Sequence, residues 1–221
     1  MTTPLNIYVM NKQSKMQSFY FFQQPAIYTG GGTAYSNSLY SSDLLSYDQS
    51  GAVLVCQVKP QYFAGIEKAG APPQVGQRSG WPTVSRAIDL ADGGSGAPKN
   101  WTTATVSPLG LSDPANAPGV QPGAFRITTP SFNSYESYNA GSAIVAMHRT
   151  VLSNFVQANP MSNIDCQPIL KFYVQTGYGN VDTVIDFSES SVNAGLADFT
   201  GGHTQCDITL NADGTWSTRL Q

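Results

Sequence analysis

Charge is what this sequence has least of. Only 11% of its 221 residues are Asp, Glu, Lys or Arg, less than half the usual share. Eleven basic residues against fourteen acidic ones leave a formal net charge of -3. Proteins that hold nucleic acid draw much of their affinity from clustered Lys and Arg. Here the cations stand singly, and nowhere do three fall within six residues. The sequence therefore argues against a nucleic-acid partner and against a polybasic membrane tether.

Long apolar runs are missing too. None approaches the eighteen residues that a membrane-spanning helix needs. The start, Met1-Thr2-Thr3-Pro4-Leu5, lacks the basic and apolar stretches of a signal peptide. The expectation is a cytoplasmic protein, or one secreted without a classical signal peptide, with no membrane partner.

Metal and redox motifs are equally scarce. The three cysteines, Cys56, Cys166 and Cys206, form no CxxC pair and no even set, so buried free thiols are expected. The two histidines, His148 and His203, have no HxH or HExxH spacing; a zinc site would need the fold to bring them to Asp165 or Glu189. Asp89 and Asp92 beside Gly93-Gly94-Ser95 could serve calcium, but the EF-hand spacing is absent. Gly30-Gly31-Gly32 and Gly93-Gly94-Ser95-Gly96 lack the Lys-Ser/Thr of a phosphate loop and read as turns. No Gly-x-Ser-x-Gly elbow occurs. No metal and no cofactor are expected.

What the chain does have is uncharged polarity, glycine, proline and aromatic rings. Ser, Thr, Asn and Gln make up roughly a third of it, with 21 Gly, 14 Pro and 11% aromatics. This composition predicts many turns and short strands, not helices. Alternation marks strands at Leu5–Met10, Ser18–Phe22, Ala124–Thr128 and Pro168–Gln175. Cys206, Ile208 and Leu210 alternate before the turn Asn211-Ala212-Asp213-Gly214, which predicts a closing hairpin with Thr215–Leu220. Leu5–Met10 and Ser18–Phe22 read as an opening hairpin, Ala52–Val58 as a central strand and Val181–Phe187 as a further strand. Residues 29–50 read as a long ordered loop with one helical turn at Ser42–Leu45, and residues 69–122 as functional loops, a linker or irregular edge strands. Residues 142–159 fit either a helix or two strands turning near Arg149; the strands are preferred because everything around them is β. The fold expected is all-β: a single antiparallel β-sandwich, jelly-roll or Ig-like, with long Gly/Pro-rich loops, spanning residues 1–221.

Three functional readings follow. The first is a cofactor-free binding protein for a carbohydrate or a small polar-aromatic ligand. Loop aromatics Trp81, Trp101, Tyr28, Tyr35 and Tyr40 would form the platform, since a ring offers an apolar face and its amide and hydroxyl neighbours offer partners. The second is a cofactor-independent cyclase, isomerase or lyase, with His148, His203 or Asp186 moving a proton in an apolar cavity. Consecutive strands would bring Asp186 towards Asp198, raising one pKa. The third is a self-assembling protein, a homo-oligomer joined through exposed β edges. Asn100-Trp101-Thr102 matches the glycosylation triplet and reads as a chance occurrence.

Overall fold

A computed structural model describes residues 3–92, 96–133 and 135–221. The turn expected at Gly93-Gly94-Ser95, and the start Met1-Thr2, lie outside the described residues. The chain is all-β, 52% strand and 5% helix. In chain order the strands are β1 (Leu5–Asn11), β2 (Gln17–Gln23), β3 (Ile27–Thr29), β4 (Ala34–Leu44), β5 (Leu54–Ala69), β6 (Thr83–Ala87), β7 (Trp101–Val106), β8 (Leu109–Leu111) and β9 (Phe125–Thr128). They continue as β10 (Ser137–Ala146), β11 (Arg149–Gln157), β12 (Asn163–Gln167), β13 (Lys171–Thr176), β14 (Val184–Ile185), β15 (Gly195–Asp198), β16 (Gln205–Leu210) and β17 (Trp216–Leu220). Two short helices, α1 (Tyr47–Ser50) and α2 (Phe187–Val192), complete the set.

The larger sheet runs β15-β13-β2-β4-β11-β10-β5-β1-β16-β17, with β14 beside β4 and β6 beside β5. It curls until β15 lies against β16, giving a nearly closed barrel. A Cβ on Gly195 would meet Ile208 and Trp216, and the Trp216 indole donates to the Asn193 carbonyl at 2.8 Å. Inside, β1, β5, β13 and β16 contribute their apolar faces: Ile7 and Val9, Cys56 and Val58, Phe172 and Val174, Cys206 and Ile208. The smaller sheet runs β3-β12-β9-β7-β8. Its inward residues, Phe125, Ile127, Ile164 and Cys166, pack with Ala64 and Ile66 of β5 and Tyr138 and Ala140 of β10. The long strands β5, β10 and β11 thus serve two cores in succession.

Between those cores the ladders are irregular. Pairing shifts at Ser142/Ala143 opposite β11, where Ser153 is the extra residue, at Ala143/Val145 opposite β5, and at Phe21/Phe22 opposite β4. A bulge frees backbone groups, and buried ones need partners. Polar side chains supply them. The Ser153 hydroxyl donates to the Ser142 carbonyl (2.9 Å), and the Tyr28 hydroxyl donates to the Asn154 carbonyl (2.7 Å) and accepts from the Ser142 amide (3.2 Å). Asn154 accepts from the Ala26 amide at 3.0 Å. Gly141 makes room, because a Cβ there would strike the Tyr28 hydroxyl and the Asn154 carbonyl. The result is a belt of buried polar residues between two apolar cores.

Several expectations are borne out. Residues 142–159 form the hairpin β10–β11, turning at Met147 and His148 with φ of 46° and 65°, and β16–β17 pair as a hairpin. The three cysteines are free and buried. Others need correction. β1 and β2 do not pair: β1 is flanked by β5 and β16, and β2 by β4 and β13, so both edges of each are taken. Residues 34–44 are a strand and not a loop, and the helical turn falls at Tyr47–Ser50. In place of one strand over Val181–Phe187 there is the two-residue β14, because Asp182 has φ of 65° and Asp186 caps α2. The sheets are not wholly antiparallel either, since β1–β16 and β7–β9 run parallel, unlike a jelly roll or an Ig-like sandwich. Within residues 69–122, the irregular-edge reading fits best: among the described residues β6 pairs only β5, and β8 only β7.

Candidate functional site

The outward face of the smaller sheet follows from the alternation of three short strands. In β7, Thr102 and Ala104 are buried, so Trp101 and Thr103 point out. In β9, Phe125 and Ile127 are buried, leaving Arg126 and Thr128 outward, and β12 leaves Asn163 and Asp165 outward by the same parity. Register aligns them in two rows: Trp101, Arg126 and Asp165 in one, Thr103, Thr128 and Asn163 in the other.

Hydrogen bonds fix both rows. The Trp101 indole N–H donates to Thr128 Oγ1 at 2.8 Å, and that hydroxyl donates to Asn163 Oδ1 at 2.7 Å. Arg126 grips Asp165 with both prongs, Nε to Oδ1 at 2.6 Å and Nη2 to Oδ2 at 2.7 Å. The pairing raises the guanidinium's pKa further and cancels the charge of this row. Two adjoining hollows open on the face, of about 260 and 490 Å³, sharing Thr128 and Asn163. Trp101 and Pro118 border the first, Pro130 and Met161 the second. The arrangement offers an aromatic ring, two hydroxyls, an amide and a neutralised ion pair on one rigid surface.

The other aromatic candidates lie elsewhere. Trp81 is 68% exposed but stands by β6, on the larger sheet's side, under the Arg78 guanidinium at 5.0 Å. Tyr28 belongs to the buried belt, and burial drives its pKa well above the ordinary value. Tyr35 stacks on Phe155 at 5.6 Å and Tyr40 packs on Phe21 at 5.7 Å. Tyr35 and Tyr40 are therefore strand residues with packing roles, and the expected five-ring platform reduces to Trp101. Asn100 is 2% exposed and holds Ala117 through its amide, so the glycosylation triplet is closed in the folded chain.

The acid–base candidates are not brought together. His148 sits exposed on the β10–β11 turn and His203 exposed before β16. Their neighbours Met147 and Thr204 are separated by Gln57 and Asn6 on intervening strands, three strand spacings or about 14 Å. Asp186 caps α2, accepting from the Ser188 hydroxyl and the Glu189 amide, which lowers its pKa. Asp198 is likewise lowered, by the Thr200 hydroxyl and Lys171. The expected rise in one of the two, Asp186 or Asp198, does not occur. Among the described residues no group of three His, Cys, Asp or Glu side chains is placed to hold a metal ion, and no helix is long and apolar enough to cross a membrane.

Sequence reasoning passed over a second polar cluster. Glu67 of β5 is 1% exposed and accepts from the Asn139 amide (3.0 Å) and the Thr83 hydroxyl (3.0 Å). Burial raises its pKa above the ordinary carboxylate value, and those hydrogen bonds only partly offset the rise. Asn139 also donates to the Ser79 carbonyl (2.9 Å), and Asn37 to the Ser79 hydroxyl (2.8 Å). Ser79 lies in a flap, residues 76–80, that pairs with residues 182–184 over this part of the sheet. No motif marks Glu67; its one signal is an acid on the buried phase of a strand. No family model matches the chain, and no curated protein or solved structure matches it, so the geometry of these surfaces carries the functional reading.

Proposed function

We propose that the protein is a cofactor-free binding protein whose outer sheet face takes a neutral, polyhydroxylated ligand, a carbohydrate. The observation that carries this reading is the junction of the two hollows at Thr128 and Asn163, beside the Trp101 ring. A sugar presents C–H patches to an aromatic face and hydroxyls to amides, hydroxyls and carboxylates. The bidentate Arg126–Asp165 pair removes net charge from the face, which favours a neutral ligand over an anionic one. In the same reading the chain is one domain, with the smaller sheet and the far halves of β5, β10 and β11 forming a β-sandwich.

The test uses one reporter. Replacing Trp81 and Trp216 by Phe leaves Trp101 as the sole tryptophan, and a panel of neutral oligosaccharides is titrated against its fluorescence. A saturable change is expected, with Thr128→Val weakening binding about tenfold by removing a hydroxyl from the junction; Trp101→Ala, which removes the reporter and is followed by titration calorimetry in the otherwise unaltered chain, should abolish binding. Silence across the panel at about 10 mM, an affinity below which little specific contact energy remains, or binding that survives Trp101→Ala, would sink the proposal.

A further inference from the structure

Of the three arginine–aspartate groupings among the described residues, Arg86 with Asp113 is a single exposed pair, Arg126 with Asp165 is closed, and the one around Asp182 points to a separate site. Around Asp182 three chain segments converge. Arg78 comes from the flap, Arg149 from the start of β11, and Asp182 from the loop ahead of β14. Arg78 Nη2 lies 3.5 Å and Arg149 Nη2 3.8 Å from the same oxygen, Oδ2. Charge-assisted hydrogen bonds of this kind run at about 2.7–2.9 Å. Neither fork is therefore closed on the carboxylate, in contrast to Arg126 on Asp165 at 2.6 and 2.7 Å.

The arithmetic of charge points the same way. Two guanidiniums face one carboxylate, leaving one positive charge in excess. The Asp182 side chain is only 14% exposed, while Arg78 and Arg149 are 53% and 65% exposed. Glu67 lies buried beneath the flap and does not line the hollow, so Asp182 is the carboxylate that the two guanidiniums share there. A hollow of about 430 Å³ opens between the arginines, floored by Asn180, Asp182 and Thr183.

The hollow is also held rigid. The flap pairs with the loop through Gly76 N–H to Val184 O (2.8 Å), Val184 N–H to Gln77 O (2.8 Å) and Ser79 N–H to Asp182 O (3.0 Å). Asp182 N–H reaches Ser38 O of β4 at 3.1 Å. Arg78 rests on the exposed Trp81 ring, which supports one face of its guanidinium and leaves the other open. A side chain ordered in advance loses less freedom when a ligand arrives.

We propose that Arg78 and Arg149 form a binding site for an oxyanion, a carboxylate or phosphate group carried by a ligand, with Asp182 as the resident counter-ion that spaces the two forks. Bound in the hollow, the group receives the N–H donors that Asp182 engages only at long range. Because the site lies on the flap side of the larger sheet, it is independent of the Trp101 face.

The experiment is an NMR titration of the full chain at low ionic strength, where exposed charges are least screened, following the arginine Nε–Hε signals. Inorganic phosphate is one arm and glucuronate the other. Saturable shifts confined to Arg78 and Arg149 are expected in at least one arm, and whichever arm saturates names the source of the anion. Arg149→Met should weaken binding about tenfold, the loss of one charge-assisted contact. Asp182→Asn should strengthen it, since the competing carboxylate is gone; a thermal melt checks that this variant is folded. The site is refuted if shifts stay linear and equal to those of the exposed Arg219 in both arms, or if Arg149→Met binds like the parent. Trp101→Ala should leave this titration unchanged, which separates its failure from failure of the sugar-binding reading.

Discussion

The barrel interior and the polar belt beside it are both buried, yet they are built on opposite principles. Where β1, β5 and β16 pair, and where β13 pairs with β2 and β15, the ladder is regular and the core is apolar: Ile7, Val9, Phe19, Phe172, Val174 and Ile208 are all shielded. In the belt the ladder bulges, and Ser36, Ser142, Ser153 and Asn154 are just as shielded. The difference teaches that irregular backbone sets the demand for buried polarity. Where every N–H and C=O finds a ladder partner, side chains are free to be apolar; where a bulge frees one, a hydroxyl or amide must answer it.

The largest expected effect breaks the barrel. Phe172→Ala removes a ring packed at its centre against Phe199 and should cost about 4 kcal/mol in chemical denaturation, transfer loss plus cavity. The comparable cut in the belt is Asn154→Ala, which strips partners from the Ala26 amide and the Ser153 hydroxyl. It should cost about 2 to 3 kcal/mol, the penalty for buried groups left unpaired. A cost near zero would mean that water replaces Asn154 and that the belt's hydrogen bonds are not what holds the bulges.

That contrast also explains what the sequence made legible. Strands of the barrel were readable because burial alternates with a period of two, as in Cys206, Ile208 and Leu210. β4 was not, because its buried run is Ser36, Asn37, Ser38 and Leu39, and polar residues in shielded positions erase the alternation. The tyrosines at 35 and 40 then looked like loop residues when they are strand residues. At the outer face the aromatic signal of Trp101 was visible, but Arg126, Thr128 and Asn163 gather only through the register of β7, β9 and β12, and single short strands do not reveal their neighbours. Glu67 was hidden for the same reason: Asn139 and Thr83 reach it from two other parts of the chain, and Ser79 reaches Asn139 from a third.

A smaller effect concerns pH at the polar cluster under the flap. Glu67 has a folded pKa raised, chiefly by burial, above the 4.5 of an ordinary glutamate. The folded state therefore holds its proton more tightly than the unfolded state. The stability this contributes is present below the unfolded value and is lost as pH rises through the folded one. Glu67→Gln should flatten that decline while keeping an oxygen for Asn139 and a donor for Thr83. Melting temperatures of parent and variant, followed from pH 4 upwards, should diverge in favour of the variant. Parallel curves would show that the Asn139 and Thr83 hydrogen bonds fully compensate the buried charge.

The smallest effect leaves stability untouched and asks whether the belt divides the molecule dynamically. Burial pushes the Cys56 and Cys206 thiols up to about 12 and Cys166 higher still, so none should react with a thiol reagent at pH 8 while the chain is closed. Labelling then reports local opening. Cys56 and Cys206 lie in the barrel, whose ladder returns almost on itself; Cys166 lies in the second core, beneath a five-stranded sheet not joined to the barrel by any strand pairing among the described residues. Opening of that smaller sheet exposes Cys166 without disturbing the barrel, so Cys166 should label first, on the order of tenfold faster, equivalent to about 1.4 kcal/mol between the two openings. Equal rates at all three thiols would mean that the belt couples the cores into one cooperative unit, because its side-chain bonds from Tyr28 and Asn154 then hold the smaller sheet as firmly as a ladder would.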